Sequence, residues 1–142
     1  EHSLFEPSFE SIDARFREFG LPPKLIQSYS KTASLLLLNT KRDKDFEWLF
    51  KYRDSTEVEA EYSSSTKTVI IDRLFIEDDS LWIIDFKTAS LNEGESMDSF
   101  IERQKLSHQK QIKTYQEVLE DFFKIPSKIA LYCPAVSKLI LL

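Results

Sequence analysis

The sequence predicts an α/β domain whose helices and sheet come largely from different stretches of the chain. Three observations carry this. Apolar residues recur at helical spacing through residues 1–53, then alternate or run continuously, as in strands, over much of 54–142. Two apolar segments, TVIIDRLFI and SLWIIDFKT, follow one another across an acidic turn, Glu77-Asp78-Asp79-Ser80. A long segment without Gly or Pro, SFIERQKLSHQKQIKTYQEVLEDFFK, then separates them from two more apolar stretches.

In chain order, Ser8 or Ser11 caps a first helix through SIDARFREFG, with Ile12, Phe16 and Phe19 as its apolar residues and Gly20 as its stop. Pro22 and Pro23 suit the start of a second helix, because the first turn needs no N–H from them. Leu25, Ile26, Tyr29, Ala33, Leu36 and Leu37 form its apolar stripe. DKDFEWLFKY predicts a short third helix around Phe46, Trp48, Leu49 and Phe50. STEVEAEYSS alternates, with Glu57, Glu59 and Glu61 on one face and Val58, Ala60 and Tyr62 on the other, as a half-buried strand does. Two strands, a polar loop ASLNEGESMD and the long helix follow. KIALYCPAVSKLILL closes the chain as a strand, a turn at Pro134 and a final strand. The 142 residues suit one domain, and the chain reads as a piece of a larger protein, near that protein's C-terminus.

Composition narrows the classes. Hydrophobic residues are 42% and charged residues 30%, ordinary for a water-soluble globular chain. No apolar run has membrane-spanning length, so no membrane is expected. Cys133 is alone, which leaves no intrachain disulfide and no iron–sulfur cluster, and fits a reducing cytosol. The 19 basic and 24 acidic residues give a net charge of −5, which argues against a free-standing DNA-binding domain. It argues less against a catalytic module that receives its strand from a basic neighbour, since metal sites themselves need acids.

The acids that interrupt the two apolar strands are the candidate site. Asp72 and Asp85 sit where burial of a carboxylate is costly without a cation or hydrogen bonds. Residues two apart on a strand share a face, so Asp85 and Lys87 project together, and Asp72 lies one hairpin away. Two carboxylates suit a hard divalent ion, Mg²⁺ or Mn²⁺, with the Phe86 carbonyl as a further ligand. Glu57 or Glu59 could orient Lys87 or bind a second ion. Gln111 and Tyr115 share a helix face at i, i+4 spacing, with His108 a turn earlier, and could reach a phosphate or base.

Asp72 in IIDRLFI, then WIIDFKT, then Gln111 to Tyr115 in QIKTY resembles the RecB-type branch of the PD-(D/E)XK nuclease superfamily. It resembles most the nuclease domain at the C-terminal end of UvrD/RecB-like helicase–nucleases. The resemblance implies a restriction-endonuclease-like fold, a mixed central sheet flanked by helices. It implies Asp72 and Asp85 as metal ligands, Lys87 as the catalytic lysine, and Glu57 as the family's glutamate, with Glu59 next. Gln111 and Tyr115 match the supporting helix motif. The implied activity is a metal-dependent DNA exonuclease in double-strand break repair and recombination. Its substrate would be single-stranded DNA delivered by helicase domains of the same chain, with a second helicase–nuclease subunit as a partner, in a bacterial cytoplasm. The family's upstream metal-binding histidine corresponds either to His2 or to a residue before Glu1.

Two other classes compete. One is a non-catalytic module of the same fold that binds DNA or a partner. The other is an interaction domain whose acids are incidental and whose C-terminal hairpin docks on the parent chain.

Overall fold

The computed structural model describes residues 9–142. His2 and Ser8 lie outside the described residues. Helix α1 spans Phe9–Glu18 and α2 Pro23–Arg42, followed by a 3-10 helix, Lys44–Phe50. Strands β1 (Glu57–Ser63), β2 (Thr68–Glu77) and β3 (Ser80–Phe86) form an antiparallel meander. Helix α3 (Met97–Phe123) crosses over to β4 (Ser127–Cys133), which lies parallel to β3, and β5 (Lys138–Leu141) closes the sheet antiparallel to β4. The result is a mixed sheet in the order β1-β2-β3-β4-β5. Among the described residues no helix is long and apolar enough to cross a membrane.

Local chemistry explains the boundaries. Asp78 and Asp79 both take positive φ, as a two-residue hairpin turn requires, and Asp is among the residues that tolerate it. The Ser96 hydroxyl accepts the Ser99 N–H at 3.2 Å and caps α3, which therefore starts slightly before the segment the sequence marked. The alternating β3 and β4 residues divide among three apolar clusters, with Leu131 and Cys133 of β4 joining Phe100 in one of them. Leu81, Ile83 and Ile129 pack under Tyr115, Val118 and Leu119 of α3. On the other face Phe75, Ile84, Ala130 and Tyr132 surround Leu49 of the 3-10 helix.

That short helix is 3-10 rather than α, and polar ties hold it against the sheet. The Arg73 guanidinium donates to the Leu49 carbonyl at 2.7 Å. Arg53 donates to Glu77 at 2.7 Å and to the Trp48 carbonyl, with its guanidinium 3.9 Å above the Phe75 ring. Asp43 accepts from both Tyr132 and Ser137, at 2.9 and 2.7 Å.

Two patterns differ from the sequence reading. In α2 the buried stripe is Ile26, Ser30 and Ser34, while Leu25, Tyr29 and Leu37 of the expected apolar stripe are exposed. Ser30 and Ser34 lie at i, i+4 spacing on one face, and α1 packs on α2 through contacts that include Phe16 with Tyr29. In β1 the strict alternation fails. Ala60 and Tyr62 pack on the α3-side core as expected, but Val58 is 60% exposed. The break falls at Glu59, whose φ is 49°.

Ile83 is fully buried beneath α3. Ile83→Ala should therefore lower the stability by about 2–5 kcal/mol in urea unfolding. A loss under about 1 kcal/mol would mean that α3 is not seated on this strand.

Candidate active site

The site forms where β2 and β3 part. Their main-chain pairing runs from Glu77↔Ser80 to Arg73↔Ile84 and stops there. One residue further, the Asp72 carboxylate takes over, and its Oδ2 accepts the Phe86 N–H at 2.8 Å. On the other side of β3 the pairing continues, with the Lys87 N–H donating to the Tyr132 carbonyl at 2.9 Å. The end of β3 is thus held from both flanks.

Side-chain alternation slips at the same place. Val69 and Ile71 share the core beneath α3, but the next β2 residue in that core is Leu74, three positions on. Opposite Asp72, between the pairs Val58↔Arg73 and Ala60↔Ile71, lies Glu59. The glutamate with the unusual backbone therefore stands across from Asp72. Its charge reaches the Asp72 carboxyl. Glu57, the first choice from sequence, is placed elsewhere: its Oε2 accepts the Tyr62 hydroxyl at 2.9 Å, and its register partner is Leu74. Together these contacts push the half-buried Tyr62 phenol up to about 12, through burial first and the Glu57 bond second.

Asp85 is the buried centre, only 3% exposed. Its Oδ1 accepts the Tyr115 hydroxyl at 3.0 Å and the Gln111 amide at 3.2 Å. Its Oδ2 lies 2.6 Å from the Lys87 ammonium. Beyond this ion pair, buried Oδ2 accepts no further hydrogen bond from the described residues. Lys87 in turn donates to Gln111 Oε1 at 3.1 Å, and Gln111 also donates to the Tyr115 oxygen at 2.7 Å. The strand parity read from the sequence holds here: Asp85 and Lys87 meet the same helix. The i, i+4 pair on α3 meets them from above, because Gln111 and Tyr115 are one turn apart.

The electrostatics follow from this packing. Burial raises the Asp72 carboxyl, the Phe86 N–H opposes that, and the Asp85 charge adds to the rise. Such a carboxylate keeps its charge more readily when a cation is supplied. Burial and the Asp85 carboxylate raise the Tyr115 phenol far above its ordinary value, so it stays a hydrogen-bond donor at neutral pH. His108 also belongs to this neighbourhood. Burial and the Lys87 charge lower its imidazole, against the pull of Asp85 and of the nearby Gln111 side chain. Cys133 is buried in the core under Phe100, its thiol pushed up by burial to about 11, as for a packing residue rather than a nucleophile.

A divalent ion fits the donor set. Asp85 Oδ2 is a buried oxygen met by the Lys87 ammonium alone among the described residues, and the Asp72 carboxylate feels the charges of both groups. Among the described residues no three His, Cys, Asp or Glu side chains converge, so the candidate set is these two carboxylates with Phe86 between them. Compared with known proteins, the chain matches no family model and no curated sequence.

Two features of this region were not decided by the sequence. One is which of the two candidate glutamates, Glu57 or Glu59, stands opposite Asp72, since nothing in an alternating run of glutamates marks which one takes positive φ. The other is the clamp on the loop after Lys87. Arg103 donates to both Glu95 oxygens at 2.7 Å and to the Ser90 carbonyl at 3.0 Å, and Glu95 accepts the Asn92 N–H. The only available signal was an Arg one turn into a helix preceded by an acid-containing loop.

Tyr115→Phe should cost about 1–3 kcal/mol in urea unfolding, because it leaves Asp85 Oδ1 with one donor fewer. In an Asp85→Ala background the same change should cost much less. Equal costs in both backgrounds would show that the phenol does not act through Asp85.

Proposed function

We propose that this chain hydrolyses DNA phosphodiester bonds with Mg²⁺ or Mn²⁺, as a restriction-endonuclease-like (PD-(D/E)XK) exonuclease domain of a helicase–nuclease. The observation that carries the reading is the convergence of Asp72, Asp85 and Lys87 at the parting of two strands, with Gln111 and Tyr115 bonded behind them. A bare structural ion pair would not need a second carboxylate beside the first.

Asp72, Asp85 and the Phe86 carbonyl would hold the ion, which when bound polarises a phosphoryl oxygen and lowers the pKa of water. The chain's own groups divide the remaining work. The Lys87 ammonium, steered by Asp85 and Gln111, is placed to hold the attacking water or to stabilise charge growing on the phosphate. Gln111 and Tyr115 fix the Asp85 rotamer, so one carboxylate oxygen stays turned toward Lys87 and away from α3. Glu59, rather than Glu57, is the acid positioned to assist from β1. Single-stranded DNA is the proposed substrate, delivered by helicase domains of the same parent chain, with a second helicase–nuclease subunit as a further partner.

One observation favours a second reading, a module that binds DNA or a partner without cutting it. Lys87 already neutralises Asp85 at 2.6 Å, so this part of the site is self-satisfied.

The two readings separate on metal and turnover. Mn²⁺ at about 100 times its dissociation constant should stabilise the protein by about 2.7 kcal/mol, read as a rise in Tm. Asp72→Asn and Asp85→Asn should abolish that rise. Cleavage of a single-stranded oligonucleotide should fall at least about 100-fold in Lys87→Met. Binding of DNA without cleavage under either metal would favour the module, and a Tm indifferent to both metals would remove the metal site.

A further inference from the structure

A cavity of about 270 Å³ opens at the end of β3, on the sheet face opposite α3. Leu36 and Leu37 of α2, Phe50 of the 3-10 helix, Phe86 and Pro134 wall it, and Lys87 and Thr88 close it on the side of the candidate active site. We propose that it receives one unpaired nucleobase of the strand whose phosphate lies at Asp72, Asp85 and Lys87. The inference rests on the phosphodiester reading for the position of that phosphate.

Four features point to this ligand. The cavity shares Lys87 with the candidate site, so a group held there is continuous with the proposed phosphate position. Phe86 alternates with Asp85 and Lys87 along β3, and successive strand residues are about 3.3 Å apart. A phosphate on one face and a ring on the other are therefore joined over a short span around the strand end. The Phe50 and Phe86 rings lie nearly parallel, 16° apart with centroids at 5.8 Å, and Phe50 remains 37% exposed. Phe86 thus backs the Phe50 ring, whose remaining exposed surface is of the kind on which a base stacks. Finally, the volume falls below the ~300–1,000 Å³ of pockets for drug-sized ligands. It admits one ring system and not a peptide helix.

The cavity carries almost no group to read a base edge. The Thr40 hydroxyl is spent on the Leu36 carbonyl at 2.9 Å. Recognition would therefore be by stacking and tolerant of sequence. A base still paired within a duplex cannot enter, so this cavity selects single strands and frayed ends.

The test is titration of the protein with a single-stranded oligonucleotide carrying 2-aminopurine, with Ca²⁺ replacing Mg²⁺ to prevent turnover, beside the same oligonucleotide with an abasic position. Binding should quench the 2-aminopurine fluorescence. Phe50→Ala should weaken binding about 5- to 150-fold, as expected for the loss of one stack, and Phe50→Tyr should restore it. The abasic strand should bind the unaltered protein that much more weakly and show no further loss with Phe50→Ala. Leu37→Trp, at an exposed position of α2, should fill the cavity and reproduce the loss without touching Phe50. Quenching that survives both Phe50→Ala and Leu37→Trp overturns the proposal, as does the absence of binding. Cleavage with unaltered KM in Phe50→Ala would leave the nuclease reading standing and sink the cavity. Quenching that follows Phe50 in a protein inert with Mg²⁺ and Mn²⁺ would do the reverse.

Discussion

Everything at the end of β3 depends on how one buried carboxylate is compensated. Asp85 is nearly excluded from water, where an unpaired charge would cost several kcal/mol even after relaxation. One ammonium and two neutral donors meet that cost, and all three are themselves tied together through the Gln111 amide. Gln111 donates to two partners, Asp85 and Tyr115, and accepts from a third, Lys87, so its orientation is not free. The arrangement fixes the height of α3 over the sheet as well as the rotamer of Asp85. Apolar packing of Val118 and Leu119 supplies much of the adhesion, but apolar contact is non-directional and would tolerate a slide. The polar network would not.

The second constraint is the coordinated irregularity of β1 and β2. A regular antiparallel pair would place Asp72 according to parity alone and would give the Phe86 N–H a main-chain acceptor. Here Glu59 takes a positive φ, the alternation slips across both strands, and the Asp72 side chain replaces the lost ladder bond. For a non-glycine residue that conformation carries a cost of order 1–3 kcal/mol. The register remains intact on both sides, so the distortion re-aims side chains without shifting the strands. The strain, the buried acids and the proposed chemistry occupy the same few residues.

Much of this was legible in the sequence. β2, β3 and α3 follow from period, from the acidic turn and from the absence of breakers. The joint projection of Asp85 and Lys87 follows from the two-residue repeat of a strand, and the meeting with Gln111 and Tyr115 from one helical turn. Those signals are local and survive any detail of packing. What the sequence concealed was non-local or singular. The choice between Glu57 and Glu59 depends on one backbone angle, the positive φ of Glu59. The stripe that α2 buries runs through Ser30 and Ser34, which hydrophobic periodicity cannot see. The attachment of the 3-10 helix depends on Arg53, Arg73 and Asp43 reaching carbonyls and hydroxyls distant in sequence.

The parallel pairing of β3 with β4 has a consequence for the order in which the chain becomes competent. The β1-β2-β3 meander needs only short loops, whereas β4 can join β3 only after the whole crossover, with the 27 residues of α3, has closed. Contacts of large sequence separation form at a higher entropic cost and set the pace of folding. Asp72 and Asp85 thus come from the fast half of the molecule, and their supports Gln111 and Tyr115 from the slow half. A chain caught before crossover closure would hold the two carboxylates with Lys87 and the Phe86 N–H beside them, but without the Gln111 and Tyr115 donors of α3. Docking of α3 supplies those two donors together, so the candidate site is completed only when the crossover closes.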